Sequence, residues 1–221
     1  MQAAYYMGDR RVEIRDAEPV PPAPGTVQLD VAYTGICGTD LHIVHGAMDA
    51  RVSLPAILGH EMAGHVAAVG EGVSGWEPGD AATVMPLVWC GECAACRTGA
   101  SNVCQRLSFL GIDAPGSLQS RWTVPAQTLV PLPADMQPQT AALAEPTAVA
   151  VHDVRRAQLT EGEHVVVVGG GPIEMQLVTA RAPVHEHPFA VAANGDGDRF
   201  HERAALGGPV AWTIVVQMTA P

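Results

Sequence analysis

Hydrophobic and polar positions alternate along Val27-Gln28-Leu29-Asp30-Val31, the period-two pattern of a strand with one buried face. Val12 and Ile14 suggest an earlier strand. Met62–Val69 forms a longer one, ended by Gly70, Gly72 and the Pro78-Gly79-Asp80 turn. Ala82–Met85, Leu118–Val124 and Leu129–Leu132 add further short strands. Many short strands punctuated by Gly and Pro predict a β-barrel. Near Asp135 the pattern changes. Met136–Leu143 and Thr147–Ala157 are Ala-rich and helix-compatible, and Pro146 suits a helix start. Val165–Val168 is then an unbroken apolar strand running straight into Gly169-Gly170-Gly171, the opening of a βαβ unit. The prediction is a mixed α+β chain, with a barrel domain over residues 1–157 and an incomplete α/β segment over 158–221.

Composition adds a metal. Four of the five cysteines stand as Cys90-x2-Cys93-x2-Cys96-x7-Cys104. Two-residue gaps let successive thiolates turn onto one ion, and the longer loop brings in the fourth. Four thiolates close a tetrahedron around zinc and leave no open position, so a lobe over 88–106 is read as a structural zinc site. Gly91 and Gly99 supply its turns. An iron–sulfur cluster uses a similar run, but its fourth Cys usually precedes Pro, and here Gln105 follows. Clustered thiols without a disulfide framework point to a reducing compartment. Met1–Tyr6 lacks the basic flank and apolar run of a secretory leader, and no apolar stretch approaches a membrane span, so the cytoplasm is expected. A formal charge of −11 disfavours nucleic acid and anionic membrane surfaces. There is also no basic helix beside the four cysteines to make them a nucleic-acid-binding finger.

A second constellation is Gly35-Ile36-Cys37-Gly38-Thr39-Asp40-Leu41-His42 with Gly59-His60-Glu61. Thiolate, imidazole and carboxylate together make a mixed zinc site that keeps a place for water or substrate. Gly59-His60-Glu61-x2-Gly64-x5-Gly70-x2-Val73 matches the signature of the zinc-containing medium-chain alcohol dehydrogenases, and Cys37–His42 is similar to that family's first ligand segment. The four-cysteine lobe follows in the family's order. Ala144-Glu145-Pro146 resembles the step where its polyol, threonine and butanediol branch carries an acidic residue near the metal. The resemblance spans roughly residues 10–180. It implies a GroES-like barrel followed by a Rossmann segment, and transfer of a hydride from a secondary alcohol or polyol to NAD or NADP. By the same resemblance, Cys37 and His60 bind a catalytic zinc. Glu61 is a third ligand or a close neighbour, and Glu145 a ligand directly or through water. Asp40 accepts a hydrogen bond from His60, Thr39 takes the substrate hydroxyl proton, and His42 passes it towards solvent. His45, His65, His152 and His164 receive no role.

The cofactor turn departs from the family. In Gly169-Gly170-Gly171-Pro172-Ile173-Glu174, Glu174 stands where G-x-G-x-x-G has its third glycine, against helix–strand packing and against a pyrophosphate. Gly169, Gly171, Pro172 and Ile173 are the expected cofactor contacts. Phe189–Ala193 with Asp196 is the one candidate for the second strand and its ribose-binding acid. Beyond Ala182 the chain is rich in Pro, His and Gly, without periodicity, as in a truncated or frameshifted reading frame. The alternative expectation is therefore a zinc-loaded but catalytically inactive fragment. Homo-oligomerisation is expected of the family.

Overall fold

The computed structural model describes residues 1–158, 166–168, 171, 173, 176, 190–192 and 215–217. The chain divides into two compact units, Met1–Glu145 with Ile214–Pro221, and Pro146–Thr213.

In the first unit β1 (Gln2–Tyr6) forms a hairpin with β2 (Val12–Asp16). The spine is β3 (Thr26–Gly35), which leads into α1 (Gly38–Val44). A short β4 (Ala56–Ile57) precedes β5 (Glu61–Val69), β6 (Ala81–Val84) and β7 (Leu87–Val88). After α2 (Ala94–Arg97) come β8 (Ser108–Phe109), β9 (Arg121–Pro125), β10 (Leu129–Pro131) and α3 (Pro138–Ala141). The helix α4 (Ala144–Ala157) leads to β11 (Val166–Val168) and β12 (Ala190–Ala192) of the second unit, and β13 (Val215–Gln217) belongs to the first.

The large sheet runs β10-β6-β5-β3-β13, with β9 also paired to β3. Along one edge of β3, β9 covers Thr26–Asp30 and β13 covers Tyr33–Gly35. A separate small sheet, β2-β1-β4, is bonded to the segment just before β9. Ala4 N–H donates to Leu118 O and Ser120 N–H to Gln2 O, each at 2.9 Å. Val27, Leu29 and Val31 meet Met62, Val66, Val84, Trp122 and Val124 in the main core, as the alternation predicts.

Two strands read differently in space. Gln28 is buried rather than solvated, because its Nε2 donates to Val20 O at 2.7 Å and so satisfies the amide away from water. Val12 and Ile14 face outward, 49% and 74% exposed, since β2 is an edge strand with nothing packed on that side among the described residues. The Ala-rich stretch before Leu143 contributes only the four residues of α3. In the second unit β11 pairs in parallel with β12, Val166 opposite Ala190, so Phe189–Ala193 does contain a second parallel strand. Its three residues are too few to show a period. Among the cofactor-turn residues, Gly169, Gly170, Pro172 and Glu174 lie outside the described residues, as do Asp196 and most of the tail, while Gly171 and Ile173 are half-buried.

Candidate metal centres

Register decides where the first centre forms. β3 and β5 are antiparallel neighbours with Gly35 opposite Glu61, so the end of one strand lies beside the start of the other. Cys37 follows that end and His60 precedes that start. A loop clamps the His60 side from outside. Gly116 N–H donates to Ile57 O (2.7 Å), and Ser117 and Leu118 N–H donate to Gly59 O and Leu58 O (2.9 Å each). Gly59 has φ +89°, and a Cβ there would lie 2.9 Å from the Leu118 side chain and from Ser117 Oγ, so only glycine fits. Ser117 is itself fixed by a buried 2.6 Å hydrogen bond with Thr34 of β3.

Asp40, 3% exposed, joins the two segments. Its Oδ2 accepts the Cys37 N–H (2.9 Å) and its Oδ1 accepts the Gly59 N–H (3.0 Å). The expected hydrogen bond from His60 to Asp40 is not made. Nδ1 is buried and stands 3.9 Å from Oδ1, beyond hydrogen-bond reach and with no hydrogen-bond partner among the described residues, while Oδ1 accepts the Gly59 N–H.

Cys37, His60 and Glu61 each offer a ligand atom, all within 4.8 Å of one another. Burial lowers the His60 pKa against the pull of Asp40, which leaves the neutral imidazole that a metal requires. Burial pushes the Cys37 thiol up, while the Thr39 N–H and hydroxyl beside it pull it down. Glu61 is raised to about 7 by burial and then by the Asp40 charge. Glu145 is raised to about 7 by burial, then by Glu61 and Asp40. Buried acids crowded beside a thiol and a neutral imidazole make a donor set that a divalent ion fits. Thr39 is half-buried on α1, and the exposed His42 lies one turn on.

The metal-free chain should show this crowding as a pH effect. Glu61 and Glu145 have folded-state values above the usual carboxylate range, so their contribution is intact below about pH 4.5. It is lost as pH rises through about 7. Urea denaturation of chelator-treated protein should therefore lose more stability between pH 5 and 7 than a Glu61→Gln/Glu145→Gln variant does. Parallel profiles for the two proteins would contradict it.

The second centre is the cysteine lobe, mounted on the β7–β8 pair with Leu87 opposite Phe109. Gly91 and Gly99 have φ +77° and +83° and make the turns expected of them. Neighbouring Sγ atoms lie 3.5 Å (Cys93–Cys96, Cys90–Cys104) and 3.9 Å (Cys90–Cys96, Cys93–Cys104) apart. A zinc–sulfur bond of about 2.3 Å gives a tetrahedron with an edge of about 3.8 Å, so the four sulfurs fit zinc. The N–H groups of Glu92 and Cys93 hold the Cys90 thiol down to about 6, whereas burial and the neighbouring sulfurs push Cys96 up to about 12. A dication removes that conflict.

Sequence reading assigned no role to the segment from Phe109 to Ser117. Phe109 places its ring against His60, centroids 5.1 Å apart and planes at 86°. The Gly111 and Gly116 pair, flanking Asp113 and Pro115, was the available signal of a tight loop.

Residues 23–134 match the alcohol dehydrogenase GroES-like domain. The chain is 52% identical to 2-dehydro-3-deoxy-L-galactonate 5-dehydrogenase of Pseudoalteromonas atlantica, over 82% of this chain and 53% of that protein. It is 39% identical to L-galactonate-5-dehydrogenase of Escherichia coli, over 69% of this chain and 45% of that one. A solved alcohol dehydrogenase of Escherichia coli, RspB, complexed with NADH, superposes with a TM-score of 0.82 at 34% identity, covering 89% of this chain and 57% of that one. The chain spans about half the length of the curated relatives it matches. Among the described residues, no helix is long and apolar enough to cross a membrane.

Proposed function

The chain belongs to the zinc-dependent medium-chain alcohol dehydrogenase family, and from that premise we propose that it transfers a hydride between a polyol-type secondary alcohol and NAD or NADP. The observation that carries the reading is the convergence of Cys37, His60 and Glu61 within 4.8 Å, with Glu145 close enough to feel the charges of Glu61 and Asp40. The names of the galactonate dehydrogenases favour a sugar acid, oxidised at a carbinol carbon, as substrate.

Cys37 and His60 are the proposed protein ligands of a catalytic zinc, with Glu61 as third ligand or close neighbour and Glu145 reaching the ion directly or through water. Cys90, Cys93, Cys96 and Cys104 hold a structural zinc. A zinc ion held there would supply the positive charge that brings the pKa of an alcohol towards neutrality, and NAD or NADP would supply the hydride acceptor. Asp40 holds the Cys37 and Gly59–His60 segments at a fixed separation. Thr39 takes the substrate hydroxyl proton and His42, three residues along the same helical face, passes it to solvent. Gly169, Gly171, Pro172 and Ile173, which follow β11 in sequence, are the residues that would hold the cofactor. The reduced thiols suit the cytoplasm. The working form is a homo-oligomer.

The test is zinc analysis with an NADH fluorescence titration of the full chain, then cofactor reduction with L-galactonate-type acids. Two zinc ions per chain, saturable NADH binding and chelator-sensitive turnover are expected. A folded, zinc-loaded chain that binds no NADH would refute the enzymatic reading and leave a zinc-binding fragment.

A further inference from the structure

We propose that Phe109 is a positioning residue for His60, held in place by an Arg51–Asp113 clamp; the inference rests on His60 being a ligand of the catalytic zinc. An imidazole ligand usually has its ring orientation fixed by a hydrogen bond from its second nitrogen. Here Nδ1 has no such bond among the described residues, and the nearest carboxylate oxygen, Asp40 Oδ1, stands 3.9 Å away. What touches the ring instead is Phe109, whose nearly perpendicular plane and 5.1 Å centroid distance make an edge-to-face pair. Such a contact opposes rotation of the imidazole about χ2, a torsion with a broad intrinsic minimum.

Phe109 is then fixed from three sides. Its backbone pairs with Leu87 across β7 and β8. Its side chain packs on the cluster of Tyr6, Ile43, Val52, Leu58 and Ile112, and Ile43 lies on α1, the helix that Cys37 caps. Its N–H donates to Asp113 Oδ2 at 2.8 Å, while its carbonyl accepts the Asp113 N–H at 2.8 Å, closing a reciprocal turn. Arg51 grips the Asp113 carboxylate with two bonds, Nε to Oδ1 at 2.8 Å and Nη2 to Oδ2 at 2.7 Å. A fork of this geometry fixes direction as well as distance. The clamp lies at the surface, with the Arg51 side chain 51% exposed, so its loss need not disturb the core.

The test is chelator competition on the full-length, zinc-loaded protein. Cys37→Ser identifies which of the two released zinc ions belongs to the Cys37/His60 centre. Phe109→Leu keeps an apolar side chain in the cluster but removes the ring edge, and should weaken that zinc about tenfold. Retention in the cysteine lobe should stay unchanged. Phe109→Tyr, which keeps the ring, should stay close to wild type, and Arg51→Gln should weaken the same zinc in the same direction by a smaller factor. The cobalt-substituted forms should show a changed ligand-field spectrum for Phe109→Leu and not for Phe109→Tyr. Unchanged affinity and spectrum in both Phe109→Leu and Arg51→Gln overturn the positioning role while leaving the metal reading intact. Wild-type protein with no zinc assignable to Cys37 and His60 overturns both. Should Phe109→Leu fail to fold, Arg51→Gln decides alone.

Discussion

Replacing Cys104 with serine is expected to remove one zinc equivalent per chain and to lower the melting midpoint by roughly 8–16 °C. The four sulfurs sit 3.5–3.9 Å apart in the pairs that define the lobe, so each completes a tetrahedron the other three cannot close. Structural zinc contributes on the order of 10 kcal/mol to small domains, comparable with the whole stability of an ordinary protein, about 5–15 kcal/mol. Serine retains part of the coordination at best, and a net loss of about 4 kcal/mol gives that shift for a chain of this length. The lobe carries little alternative support. α2 has four residues, none of them buried. Metal analysis with calorimetry checks the outcome, and two retained zinc ions with an unmoved midpoint would contradict it.

The second large effect is expected at Asp40. Alanine there leaves the Cys37 and Gly59 N–H groups without their acceptor and unlinks the two segments that carry Cys37 and His60. Two charge-assisted bonds would be lost. Burial, which pushes the Asp40 pKa up, shows that the carboxylate is held at a cost, so the net loss is smaller than two full bonds. A destabilisation of about 3 kcal/mol follows, together with zinc affinity at the Cys37 centre reduced about 10- to 100-fold. Asp40→Asn keeps an acceptor and should fall between. Urea denaturation and chelator competition report the two effects separately. An Asp40→Ala protein with wild-type zinc affinity would remove Asp40 from the machinery.

How much of this was legible beforehand depended on sequence distance. The cysteine lobe is local, and its spacing alone defines the geometry. Cys37 and His60 lie on different elements, so their meeting was readable only through the surrounding glycine pattern; the structure supplies the cause in the register that sets Gly35 opposite Glu61. Phe109 and Arg51 carry no motif, because their roles arise from contacts between segments far apart in the chain. Alternation marked β2 as a strand but left its faces unassigned, since period two gives two faces and only packing says which is inside. Gln28 shows the same gap, a polar residue made internal by one carbonyl.

The pairing of β13 with β3 has a consequence for synthesis. Val215–Gln217 hydrogen-bonds to Tyr33–Gly35, so nearly the whole length of the chain separates partners that lie side by side. A ribosome releases β3 long before β13 emerges. During that interval β9 can already cover Thr26–Asp30, and the four cysteines can already take up their ion. The strip beside Tyr33–Gly35, just ahead of Cys37, remains an open row of backbone donors and acceptors, the kind of edge that another nascent chain can join. Those three residues of strand edge are also the approach to Cys37, the first proposed metal ligand.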